Sequence, residues 1–176
     1  MAMASSSPSD PSLQLGLLFE TLIRHGVDFV VVGGIAGLAH GSAYPTFDLD
    51  IAYARERPNL ERLARALREL DVTLRGAPPD LPFQVDARTL ENGANFTFDS
   101  PHGKFDVLGE LDGSGGYERL RMGAIVQTIE GCEVRVASID HLIQMKRAAN
   151  RPKDRNMLEE YVELADEIRK REEESS

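Results

Sequence analysis

A chain of 176 residues with 41% hydrophobic side chains has the length and composition of one domain built on a single core. Its 29 acidic residues outnumber the 20 basic ones for a formal net charge of -9, which argues against a broad basic face gripping extended nucleic acid but leaves room for a short RNA end in a local patch. No segment approaches the ~20 apolar residues that cross a bilayer, so no membrane partner is expected. Cys132 stands alone, which excludes a disulfide framework or a thiolate metal cluster and points to a reducing, cytoplasmic setting.

Residues 1–12, MAMASSSPSDPS, carry neither a basic residue nor an apolar run of signal length, and are expected to be a disordered leader. The main domain is expected over 13–137 and a helical segment over 138–172. Leu15, Leu18, Phe19, Leu22 and Ile23 recur at helical spacing, with Gly26 as a stop. The β-branched run after Asp28 and before Gly33 predicts a short buried strand. Residues 35–40 allow a turn or two of helix before GSAYPT breaks them, and 49–53 predict a second strand. Pro58 suits a first helical turn, and Leu60, Leu63, Ala64, Leu67 and Leu70 supply the apolar face behind it. Residues 75–82, with three prolines, form a loop.

Further along, 95–99 and 104–108 alternate around SPHG as an antiparallel hairpin, and LDGSGG is a loop before a short helix from Tyr117. A second hairpin is predicted where 124–129 and 133–137 flank EGC. Ser138 is placed to cap a helix carrying Leu142, Ile143 and Met145, and Pro152 ends that helix and begins another. His40 and His102 fall in loops, His25 and His141 are expected on solvent-facing helix positions, and none of the four is expected to act. The whole predicts an α+β fold, a mixed sheet flanked by helices with a C-terminal helical pair.

The stretch VVVGGIAGLAHG invites two explanations. A dinucleotide-binding turn needs glycines at three positions, and aligning Gly34 and Gly37 with the second and third puts Val32 at the first. Such a fold also begins with this strand, whereas here a helix precedes it and hairpins follow. The alternative takes the glycines together with the acids of GGIAGLAHGSAYPTFDLDI, where thirteen residues separate Gly34 from Asp48. Strand residues two apart share a face, with Cα atoms roughly 6.5 Å apart, so Asp48 and Asp50 can reach the same ligand. Acid pairs at this spacing are common by chance in so acidic a chain. The weight rests on the preceding strand, the double glycine, the gap, and apolar Leu49 and Ile51 alternating with the acids.

This arrangement resembles the signature of the nucleotidyltransferase superfamily, with its polymerase-beta-like fold. The resemblance implies that Asp48 and Asp50 hold two Mg2+ ions, that Gly33 and Gly34 let the backbone and the following helix approach an NTP triphosphate, and that a third carboxylate lies on a neighbouring strand. Asp106, set between Phe105 and Val107 where an unpaired acid is costly, is the preferred third member, with Asp99 and Glu110 as alternatives. LIQMKRAANRPKDRNMLEE is similar to a segment of nucleotidyltransferases related to abortive-infection toxins, which implies triphosphate or RNA-phosphate contacts for Lys146, Arg151 and Lys153. The likeness spans residues 13–164. One departure stands in YPTFDLD, where Tyr44 occupies the position of an arginine in the toxin-like pattern. The implied activity is Mg2+-dependent transfer of a nucleoside monophosphate to an acceptor hydroxyl on a tRNA end, a protein or a small molecule. A binding module that keeps the fold without catalysis is the alternative.

Overall fold

The computed structural model describes residues 11–176. Of the expected leader, residues 1–10 lie outside the described residues. Helix α1 (Leu15–Arg24) leads into β1 (Phe29–Val32), then α2 (Gly33–Ala39), β2 (Asp48–Tyr53), α3 (Arg57–Glu69), β3 (Thr73–Leu74) and α4 (Ala87–Asn92). The hairpin β4 (Asn95–Asp99) and β5 (Lys104–Leu108) precedes α5 (Tyr117–Gly123), and a second hairpin pairs β6 (Ile125–Ile129) with β7 (Cys132–Val136). Helices α6 (Ile139–Ala149) and α7 (Arg155–Glu174) close the chain, joined through a 3-10 turn at Pro152–Asp154.

The strands form one seven-stranded mixed sheet in the order β3-β4-β5-β2-β1-β7-β6. Strand β1 is central because all four of its side chains are buried, as a continuous β-branched run requires. It runs antiparallel to β2 and parallel to β7, while β2 and β5 are parallel. In β2 and β5 the apolar residues alternate with polar ones, so Leu49, Ile51, Phe105 and Val107 enter the core with no exposed surface. Each such side chain contributes roughly 1.5–3 kcal/mol of burial, which fixes the register. The opposite face of the same two strands is left to the acids.

Around the sheet, α3 packs against α1 and α4, and α6 packs against α7 and α2. Stacking of Phe19 on Phe29, with centroids 6.2 Å apart, ties α1 to β1. Ser138 caps α6 as expected, its hydroxyl accepting from the His141 N–H at 3.2 Å. Asn150, in the left-handed region at φ 47°, ends that helix before Pro152 is reached.

The structure adds two elements to the predicted order. Strand β3 is two residues long and shows no alternation, and α4 is six residues long, too short for helical periodicity to register. Asp86 starts α4 by accepting from the Thr89 N–H at 2.7 Å. One histidine also differs from expectation: His141 is buried, not solvent-facing. Its ring sits against Gly123, where an added Cβ would come within 2.7 Å of it, and burial lowers its pKa.

Candidate active site

The three acids singled out in the sequence lie on two adjacent strands. Parallel pairing of β2 with β5 sets Asp50 directly opposite Asp106, and antiparallel pairing sets Val32 opposite Asp50 on the other side. The end of β1, Asp50 and Asp106 therefore form one row across three strands, with Asp48 two residues along from Asp50. Neither alternative third acid has this register. Asp99 lies on β4 and pairs with Arg75, and Glu110 follows the end of β5.

The glycines explain how the acids fit. Gly33 has φ +64°, in the left-handed region, and a Cβ there would come 2.1 Å from the Asp50 Oδ2. A Cβ on Gly34 would come 2.6 Å from the Thr46 Oγ1. The double glycine thus makes room first for this chain's own Asp50 and Thr46, within the first turn of α2. Both glycines still line the cavity described below.

Crowding the carboxyl groups has an electrostatic consequence. Burial, the neighbouring charge and hydrogen bond of Asp106, and the charge of Asp48 push the Asp50 carboxyl up to about 7. Burial also raises Asp106, against the opposing pull of Arg75. Burial and mutual repulsion thus favour a shared proton on the pair, and their hydrogen bond favours it on Asp50. The Arg75 guanidinium donates to Asp106 Oδ1 at 2.9 Å and to Asp99 Oδ1 at 3.1 Å, and its neighbours raise its own pKa.

Asp48, Asp50 and Asp106 line a cavity of about 1060 Å³ together with Tyr44, Gly33 and Gly34. Lys146, Arg151 and Lys153 reach the same cavity, so the structure brings all the sequence-singled residues to one space. They are not equivalent there. Lys146 Nζ donates to Asp154 Oδ1 at 3.1 Å, with both side chains largely buried, so much of its charge is already answered. Arg151 and Lys153 are exposed, and no ion pair joins either to an acid among the described residues.

An all-oxygen donor set of three carboxylates suits magnesium, and the proton affinity of Asp50 is raised there by burial first and by the charges of Asp106 and Asp48 after it. Among the described residues, however, no group of three His, Cys, Asp or Glu side chains stands already gathered as a cage. The three carboxylates suit such an ion in chemistry and register, and one of them, Asp106, is already engaged by Arg75.

Sequence reasoning missed Arg75, because it lay in what read as a proline-rich loop. Its position depends on the two-residue β3 next to β4, a pairing without a local signal. It also missed how α7 fixes the loop before β2. The Glu160 carboxylate accepts from the Ser42 hydroxyl at 2.9 Å and the Ala43 N–H at 2.7 Å, and the Tyr161 hydroxyl occupies the space where a Gly37 Cβ would lie.

No protein-family model matches the sequence, and no curated protein matches it. Solved structures do match. A candidate nucleotidyltransferase from Thermotoga maritima superposes with a TM-score of 0.51 at 14% identity, over 83% of this chain and 88% of that one. The antibiotic-resistance factor ANT(2'')-Ia superposes with a TM-score of 0.52 at 16% identity, over 87% of this chain and 83% of its own. At these identities the likeness is one of fold. The chain shares the mixed α+β fold of these two structures, and its acids, glycines and basic residues converge on one cavity of that fold.

Proposed function

We propose that this chain is a magnesium-dependent nucleotidyltransferase that moves a nucleoside monophosphate from an NTP to an acceptor hydroxyl, releasing pyrophosphate. The observation that carries this reading is the register match of Asp50 with Asp106, beside Asp48, in a cavity also reached by Arg151 and Lys153. Asp48, Asp50 and Asp106 would hold two Mg2+ ions, which would supply positive charge to the phosphate oxygens and polarise the reacting ones. Arg151 and Lys153 bind the triphosphate, Lys146 supports the segment that carries them, and Gly33 and Gly34 keep the floor of the site low enough for it to approach. Asp106 would also orient the acceptor hydroxyl and help take its proton as the new P–O bond forms and the bond to pyrophosphate breaks.

The acceptor belongs to one of three classes: a tRNA or other RNA end, a protein side chain, or a small molecule. A net charge of -9 speaks against an extended nucleic-acid surface. The Lys146 to Lys153 segment supports placement among the abortive-infection toxin-like enzymes, in a toxin–antitoxin setting in the cytoplasm, with 13–137 as the catalytic domain and 138–172 as its helical segment. Among the described residues no helix is long and apolar enough to cross a membrane.

A second reading, a nucleotide- or protein-binding module without catalysis, is favoured by Arg75 on Asp106 and by Tyr44 at the arginine's position. Incubation with each α-labelled NTP, magnesium and fractionated lysate separates the two. Label carried to RNA, protein or a small molecule by the parent, and not by Asp50→Asn, is the expected result. Absence of transfer with all four NTPs, despite measurable NTP binding, would establish the binding module instead.

A further inference from the structure

Arg75 is anchored on one side and engaged with the site on the other. Its backbone N–H donates to the Thr97 carbonyl at 3.0 Å, its Nη2 to the Phe98 carbonyl at 2.8 Å, and its Nε to Asp99 Oδ1 at 3.1 Å. Those three contacts belong to β4. The fourth, from Nη2 to Asp106 Oδ1 at 2.9 Å, crosses to β5 and to the acid opposite Asp50. The anchors on β4 do not depend on that fourth contact, so Arg75 can leave Asp106 without being released itself.

A carboxylate oxygen engaged by a guanidinium N–H has fewer lone pairs left for a cation, and the positive charge beside it repels one. We propose that Arg75 is a positioning residue, the resident counter-charge of the carboxylate cluster. It holds Asp106 in line while the site is empty of metal, and must give up that contact when a divalent cation takes Asp106. This inference rests on the reading of Asp48, Asp50 and Asp106 as metal ligands. It adds that metal affinity is set by competition with a side chain of the same protein. A merely structural ion pair predicts the opposite effect on metal binding, because its loss would loosen Asp106 and weaken the site.

Titration calorimetry with MgCl2 alone, on the parent, Arg75→Gln and Arg75→Lys, tests it, alongside melting curves in chelator and in saturating Mg2+. Arg75→Gln should bind Mg2+ about fivefold more tightly or better. It should melt below the parent in chelator, with the gap closing in saturating Mg2+ because the ion then supplies the missing charge. Arg75→Lys, which keeps the charge but loses the fork, should bind Mg2+ with intermediate affinity. If the parent titrates and Arg75→Gln binds no more tightly, the competition is overturned while the metal site stands. Should Arg75→Gln fail to fold, an Arg75→Lys affinity equal to or weaker than the parent's overturns it equally. If no variant binds Mg2+, both the competition and the metal site fall.

Discussion

The acidic corner and the basic segment face one cavity but are built differently. Asp50 and Asp106 are placed by strand register, with Leu49, Ile51, Phe105 and Val107 buried behind them, so neither acid can shift without the sheet shifting. Arg151 and Lys153 sit on an exposed 3-10 linker between two helices, positioned by one partly buried ion pair, Lys146 with Asp154. Charge fixed by a sheet can be held where it is electrostatically unfavourable, in keeping with the raised proton affinity of Asp50. Charge on a linker stays solvated and can follow a ligand.

The largest expected effect lies in the corner. Asp50→Asn keeps the side-chain size and removes one buried charge, so transfer should fall about a thousandfold or more. The fold should survive, and melting without metal at pH 8 should rise because the repulsion with Asp48 and Asp106 is relieved. A variant that turns over like the parent in the label-transfer assay would remove Asp50 from the site.

Gly33→Ala attacks the same corner through the backbone. The left-handed φ and the collision with Asp50 should together cost about 1–3 kcal/mol of stability, read by denaturant unfolding, and should weaken Mg2+ binding as the carboxylate is pushed aside. Parent-like stability and metal affinity would mean that the turn relaxes freely and does not position Asp50.

The basic segment should respond more gently and unevenly. Lys153→Ala or Arg151→Ala should lower NTP affinity about tenfold, the loss of one charge-assisted hydrogen bond. Lys146→Ala should instead lower the melting temperature, by the loss of its bond to Asp154, and change NTP affinity by less than about threefold. Calorimetry with an NTP on the three variants decides. Equal losses in all three would show that Lys146 leaves Asp154 to meet the nucleotide.

How much of this was readable from the chain follows the same division. Leu49 between the acids and Ile51 after them, with Phe105 and Val107 around Asp106, mark two strands with a polar face, and the fold class follows from the order of elements. Which acid would face Asp50 needed the β2–β5 register, and apolar flanks pointed to Asp106 because a lone acid there is costly. Arg75 was hidden because a two-residue strand carries no period. The sequence places His141 on a solvent-facing helix position because its burial comes from packing against Gly123, eighteen positions back along the chain (141 − 123), a separation that no helical pattern links. Gly33 and Gly34 do lie beside this part of the chain, and what they admit there is Asp50 and Thr46.

A pH trend follows from the same corner. The Asp50 carboxyl is raised to about 7 in the folded chain against about 4 in the unfolded one, so between those values the unfolded chain binds fewer protons. Its contribution to stability is therefore fully present at low pH and is lost as pH rises from about 4 through 7. Melting in chelator at pH 5.5 and 8 should show that loss in the parent and a shallower one in Asp50→Asn. Identical slopes would contradict the burial of a protonated Asp50.

The central claim, that Asp50 and Asp106 form one cation-dependent nucleotide site, is tested most directly by titrating an NTP into the parent, Asp50→Asn and Asp106→Asn, each with and without Mg2+. Mg2+ should strengthen NTP binding to the parent at least about tenfold, and either substitution should remove the dependence on Mg2+. Binding to the parent that is indifferent to Mg2+, or an Mg2+ dependence that survives in both variants, would contradict it.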